Sequence, residues 1–120
     1  MGYRSDVAYV IKFKSMEQRT AYVASVRLSS DKEKQTALAE CKQPEGEPLI
    51  TFYAADVKWY PDYAEVRAHV RVYQDAHEEF AAIYRFVAVG EDGAEDEDYE
   101  DDHGELEDYV FASHSLNVNF

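Results

Sequence analysis

The run Asp62-Tyr63-Ala64-Glu65-Val66-Arg67-Ala68-His69-Val70-Arg71-Val72-Tyr73-Gln74-Asp75-Ala76-His77 decides the topology of this chain, because it carries two periodicities at once. Tyr63, Val66, Val70, Tyr73 and His77 step by three and four, as one face of a helix does. Val66, Ala68, Val70 and Val72 also alternate, as a strand would. Length separates the two. The run contains no Gly or Pro and exceeds a usual strand of about five or six residues. Pro61 stands just ahead of it, where it suits the first turn of a helix. The spacing predicts a helix over 62–77.

Upstream, Val7, Tyr9, Ile11 and Phe13 alternate with Asp6, Ala8, Lys12 and Lys14, Val10 excepted, and read as a strand rich in β-branched and aromatic side chains. Ser15-Met16-Glu17-Gln18 is an S-x-x-Q capping box opening a helix at 16–28 that buries Met16, Tyr22, Val23 and Val26, with Arg27 near its negative end. A second box, Ser30-Asp31-Lys32-Glu33, opens a helix burying Ala37, Leu38 and Cys41 before Pro44 ends it. After the turn Pro44-Glu45-Gly46-Glu47-Pro48, the residues Leu49, Ile50, Phe52, Tyr53, Val57 and Trp59 read as a second strand.

Downstream, Phe80 to Val89 is a dense apolar strand, and Tyr109 to Phe120 another, with Val110, Ala112, His114, Leu116, Val118 and Phe120 on one side. The expected order is β-α-α-β-α-β-β, an α+β fold with a mixed or antiparallel sheet of four strands and helices packed on one face. Residues 1–120 are expected to form a single domain whose last two strands make a hairpin around a long acidic loop, 91–108.

That loop holds most of the charge. The 120 residues include 12 Lys+Arg and 25 Asp+Glu, a formal charge of −13. Twelve acids and no Lys or Arg lie between Glu91 and Asp108, so residues 1–90, with thirteen acids and twelve bases, are net −1. A near-neutral body thus carries one concentrated anionic element, and like charges in such a block repel and keep it extended unless a partner neutralises them. Ten Tyr, six Phe and one Trp supply a core without disulfides. The single Cys41 fits a reducing compartment, and no stretch approaches a membrane span or a secretion signal, so a soluble cytoplasmic protein is expected.

Motifs of chemistry fail on physical grounds. A general acid needs its proton affinity raised by burial or by a close like charge, whereas a solvated acidic block does not supply that. An EF-hand reading from Asp96 places Asp98, Glu100 and Glu107 at ligand positions, but the position needing Gly is Asp101 and the flanks read as strands. His69, His77, His103 and His114 show no metal-ligand spacing, and Cys41 has no nearby cysteine. No dinucleotide, P-loop or G-x-S-x-G motif is present. Neither an enzyme, nor a cofactor, nor a metal is expected, and the acidic block argues against direct nucleic-acid binding.

The same carboxylates can instead imitate phosphates and occupy the basic groove of a protein that grips nucleic acid. The expected contacts are Glu95, Asp96, Glu97, Asp98, Glu100, Asp101 and Asp102, supported by Glu105, Glu107 and Asp108, with Tyr99 stacking like a base or anchoring the loop. The alternative is a general protein–protein interaction or regulatory module using Tyr3, Tyr53, Trp59, Tyr60 and Tyr63, the acidic loop being only a solubilising rim.

The opening Met1-Gly2-Tyr3-Arg4-Ser5-Asp6-Val7-Ala8-Tyr9-Val10-Ile11 resembles the start of small phage proteins, and with the acidic block 91–108 the chain is similar in kind to small acidic phage anti-defence proteins. Those are the DNA-mimicking anti-restriction proteins and the anti-CRISPR proteins that plug a nucleic-acid channel. The resemblance implies a non-enzymatic inhibitor whose partner is a host CRISPR or restriction complex, acting in the host cytoplasm. It differs in concentrating its acid in one segment rather than over a whole face, which favours insertion of a single element into a groove.

Overall fold

The computed structural model describes residues 3–113 and 115–120. Its elements follow the chain as β1 (Ser5–Lys12), α1 (Met16–Leu28), α2 (Lys32–Ala39), β2 (Leu49–Val57), α3 (Ala64–Phe80), β3 (Ile83–Gly90), β4 (Glu95–Glu100), β5 (Val110–Ser113) and β6 (Ser115–Val118). The main sheet has four strands in the order β2-β1-β3-β4, every neighbouring pair antiparallel. The fold is α+β, and the ambiguous run after Pro61 is helical.

The helix starts follow from local chemistry. Ser15 Oγ accepts from the Gln18 amide at 3.2 Å and begins α1. For α2 the capping group is Asp31 rather than Ser30: its carboxylate accepts from the Lys34 amide at 3.0 Å and also receives the Arg71 guanidinium. α3 ends on Ala81, whose φ of 53° is left-handed.

Both faces of the sheet are covered. On the helix face, Val7, Tyr9 and Ile11 of β1 join Ile50 and Phe52 of β2 and Tyr84, Phe86 and Ala88 of β3, against Tyr22, Val72 and Tyr73. On the other face, Ala8, Val10, Leu49 and Val87 are sealed by Leu106 and Val110. Val10, out of step with a half-polar strand, is thereby explained: the C-terminal segment lies across it.

That segment departs from expectation. Residues 91–108 are not one hairpin loop, and none of the described residues of 109–120 pairs with β3. Instead β3 turns sharply at 91–94, where Gly93 takes φ 85° and the Gly90 amide donates to the Ala94 carbonyl. Asp92 Oδ1 accepts from the Ala94 amide. The chain then runs back beside β3 as β4. Asp92-Gly93 is a tight-turn pair, and it sets the hairpin inside the acidic block. The stretch 109–120 folds as the small β5–β6 hairpin on the far face. His114, placed by alternation on one side of that stretch, lies outside the described residues, as do Met1 and Gly2 of the opening.

Among the described residues no helix is long and apolar enough to cross a membrane.

Candidate functional site

β4 carries acid at five of its six positions, Glu95, Asp96, Glu97, Asp98 and Glu100, and it is an edge strand. Register sends them to opposite faces. Asp96, Asp98 and Glu100 stand opposite Ala88, Phe86 and Tyr84 and share their helix-facing side. Glu95, Glu97 and Tyr99 stand opposite Val89, Val87 and Arg85 on the other. Like charges survive on neighbouring residues because an edge strand leaves both sides wet and because the Arg85 guanidinium is close. Arg85, 8% exposed, donates from Nε to the Val110 carbonyl at 2.9 Å and reaches Glu97 at 3.3 Å, with its guanidinium 5.5 Å from the Tyr99 ring. Tyr99 is thus anchored from one side while half its surface remains open. His77 lies 3.9 Å from Glu100, and the Tyr84 hydroxyl donates weakly to Asp98 at 3.4 Å.

The remaining acids do different work. Asp101 is buried and turned inward, its carboxylate accepting from the amides of Glu105 (3.0 Å) and Leu106 (2.8 Å). It holds the turn that drops Leu106 into the far-face core, so it is a structural carboxylate rather than an exposed contact. Glu105 meets Lys12 at 3.3 Å. Asp102, Glu107 and Asp108 are exposed, and among the described residues they make no ion pair, as is also true of Glu95, Asp96 and Asp98. An EF-hand geometry does not arise: Asp96, Asp98 and Glu100 lie on a straight strand, whereas that loop turns sharply at a Gly to wrap its ion. Among the described residues no cluster of three or more His, Cys, Asp or Glu is placed to hold a metal.

A groove of about 500 Å³ runs between α3 and β4. Trp59, Val70, Tyr73 and Phe86 supply apolar lining, Asp96 and Asp98 the β4 rim, and Arg67 and Arg71 the α3 rim. The α3 cations are tied back: Arg71 makes two contacts to Asp31 (3.1 and 3.2 Å), and Arg67 donates to the Asp62 carbonyl at 2.9 Å. The groove exists because α3 covers β1 and β3 but stops short of β4. Sequence alone pointed to Trp59 as an exposed aromatic and to the acids as a loop, and not to their proximity; that depends on the β3–β4 register. Of the other aromatics, Tyr63 lines a second pocket together with Trp59, and the Tyr60 hydroxyl accepts from the Tyr3 amide. Tyr60 and Tyr63 pack edge to face, the Tyr3 hydroxyl donates to Asp92, and Tyr53 lies on the opposite side of β2 from Phe52.

A buried polar chain was also not foreseen. His69 Nε2 lies 2.9 Å from Glu40 Oε1 and Nδ1 lies 2.7 Å from the Tyr9 hydroxyl, which is 3.1 Å from Cys41 Sγ. With Nε2–H donated to the carboxylate, Nδ1 accepts from Tyr9, and the tyrosine oxygen accepts from the thiol. Burial pulls the His69 imidazole below its usual range, against the pull of Glu40. Burial pushes the Cys41 thiol up to about 12, so the reactive thiolate is roughly one part in 10⁵ at pH 7. The chain links the buried Tyr9 and His69 to the half-buried Cys41 and the exposed Glu40, and so satisfies both nitrogens of His69.

Comparison with protein-family models, with curated proteins and with solved structures finds no match for this chain, so its function has to be read from the surface just described.

Proposed function

We propose that this protein is a non-enzymatic inhibitor that occupies the basic nucleic-acid-binding site of a host defence complex, of CRISPR or restriction type, with β4 and the following turn as its contact. The observation that carries this reading is that the acids from Glu95 to Glu100 sit on a hydrogen-bonded strand at a sheet edge, not on a free loop. A strand advances about 3.4 Å per residue, so its two faces together present carboxylates at about the axial spacing of phosphates along one strand of a duplex, about 3.4 Å, while each face alone carries one about every 7 Å. A full duplex presents a charge per about 1.7 Å, so β4 imitates one strand inserted in a groove. Fixing the carboxylates in advance removes the ordering cost that a free loop would meet on binding.

Among the described residues the exposed acids without ion pairs, Glu95, Asp96, Asp102, Glu107 and Asp108, carry the attraction together with half-buried Asp98, while Glu97 and Glu105 are partly compensated by Arg85 and Lys12. Asp101 is excluded from the contact set by its inward orientation. Long-range attraction makes association fast and sensitive to salt.

The test is a lysate pull-down at low and high salt, followed by oligonucleotide-binding assays on the retained partner. The reading expects a partner that loses its labelled oligonucleotide when this protein is added, and that is released as salt rises. Reversal of Glu95, Asp102, Glu107 and Asp108 to Lys should abolish that competition without unfolding the body. Full inhibition by the reversed protein overturns the reading.

A further inference from the structure

The groove beside β4 has the chemistry of a receptor for a long cationic side chain. Its lining is aromatic, with Trp59 and Phe86 rings near parallel at 6.1 Å and Tyr73 stacked on Phe86 at 5.8 Å. Its β4 rim carries Asp96 and Asp98, neither in an ion pair among the described residues. Aromatic faces attract guanidinium and ammonium groups, carboxylates complete their hydrogen bonding, and the apolar lining suits an aliphatic stem. On the α3 rim Arg71 is paired with Asp31, whereas Arg67 donates only to the Asp62 carbonyl and keeps its charge, so the attraction for a cation is concentrated on the β4 side of the groove.

The strand itself offers the second half of the site. One edge of β4 is bonded to β3, and no described strand pairs with the other. Free main-chain donors and acceptors on such an edge are the means by which extended segments add to sheets. A second copy of β4 is a poor occupant, because five acids would face five acids. A segment with Arg at alternate positions is complementary: its side chains on the helix-facing side would meet Asp96, Asp98 and Glu100 at the same two-residue spacing.

We propose that β4 accepts an extended basic segment of a partner protein as a fifth strand, and that one Arg of that segment lies in the α3–β4 groove, over Trp59 and Phe86 and against Asp96 and Asp98. Arg fits better than Lys because a planar guanidinium both stacks and bonds two carboxylates. This rests on the reading of β4 as the contact surface and adds the form of the partner: a strand with a side-chain anchor, not merely a positive field.

Trp59 is the only tryptophan in the chain and lines the groove, so its fluorescence reports occupancy directly. The probe is a capped hexapeptide of alternating arginine and valine, titrated into the whole protein. The proposal expects a saturable change in Trp59 emission and no change with a glutamate-for-arginine peptide. Asp96→Asn with Asp98→Asn should weaken binding by about tenfold or more, whereas Glu95→Gln with Glu107→Gln, which removes the same charge outside the groove, should change it by less than about twofold. N-methylation of alternate peptide amides should also cost about tenfold in the unaltered protein. No Trp59 response, equal losses from the two double variants, or indifference to N-methylation would each overturn it. Capped arginine binding as tightly as the peptide would reduce the site to one for small organic cations and overturn strand addition. The two readings separate cleanly: a failed titration with intact, salt-sensitive inhibition removes the strand proposal alone, and a successful titration with inhibition unaffected by reversing Glu95, Asp102, Glu107 and Asp108 removes the inhibitor reading alone.

Discussion

Phe86 and Asp98 stand directly opposite each other across the β3–β4 ladder, so the aromatic row Phe52, Tyr9, Phe86 that crosses the core ends one strand later on a carboxylate. The neighbouring rows end the same way, Ile50, Ile11 and Tyr84 on Glu100, and Val7 and Ala88 on Asp96. The sheet is apolar as far as α3 covers it and acidic where that cover stops. Charge on an edge strand prevents the sheet from extending itself with a like strand.

Replacing Glu95, Glu97 and Asp98 of β4 with Thr should therefore expose an edge of high strand propensity and weaken repulsion between copies. Sedimentation velocity across a concentration series should show self-association that the parent protein lacks at the same concentrations. Identical sedimentation of variant and parent would mean that these acids do not guard the edge.

Much of the main sheet and its helices was legible in the sequence because local signals agreed with tertiary demands. Ser15 caps α1 as the first half of its box implies, although the Gln18 side-chain oxygen finds no partner among the described residues, and the Val66–Val70–Tyr73 spacing belongs to a helix whose face is buried. The acidic block was misread because charge density outweighed a short turn signal: Asp92-Gly93 reverses the chain only two residues after β3 ends. From that turn follow both β4 and the relocation of 109–120 to the far face. The groove could not be read from sequence at all, since Trp59, Phe86 and Asp98 meet only through sheet register and the reach of α3.

Asp101 and Asp102 are chemically alike and adjacent, yet only the first is folded in. Asp101→Ala would leave the Glu105 and Leu106 amides without their shared acceptor and should cost about 2–3 kcal/mol. Asp102→Ala should fall within about 0.5 kcal/mol of the parent, as exposed substitutions do. Urea unfolding midpoints would decide it, and equal effects from the two would contradict the inward role of Asp101.

The pH dependence follows from His69. Its imidazole is buried and its proton affinity is lowered in the fold, while in the unfolded chain it titrates near the ordinary value of about 6.5. Above that pH both states are neutral and the group has no effect. As pH falls below it the unfolded state gains a proton first, so stability declines, by at most about 1.4 kcal/mol per pH unit for this one group. Asp31 and Asp92, held below their usual value, act at lower pH, with stability lost as pH falls below about 3.9. Urea midpoints at pH 7.5 and 5.5, repeated on His69→Gln, should show a decline in the parent that is smaller in the variant. An unchanged decline would assign it elsewhere.

Ala81 and Asp56 both occupy left-handed backbone, at φ 53° and 56°, yet they should respond differently to glycine. Ala81 caps α3, and its Cβ opposes a conformation that costs an L-residue about 1–2 kcal/mol. Glycine removes that strain but adds about 0.5–1 kcal/mol of chain entropy to the unfolded state. Ala81→Gly should thus stabilise the protein by about 0.5–1 kcal/mol, since Gly is the ordinary residue at such a cap. Asp tolerates left-handed backbone better, and Asp56 also lies 3.9 Å from Arg4. Asp56→Gly should therefore bring little gain or a small loss. Thermal melts of the two variants beside the parent measure the difference, and a destabilised Ala81→Gly would show that the α3 terminus is held by something other than its cap.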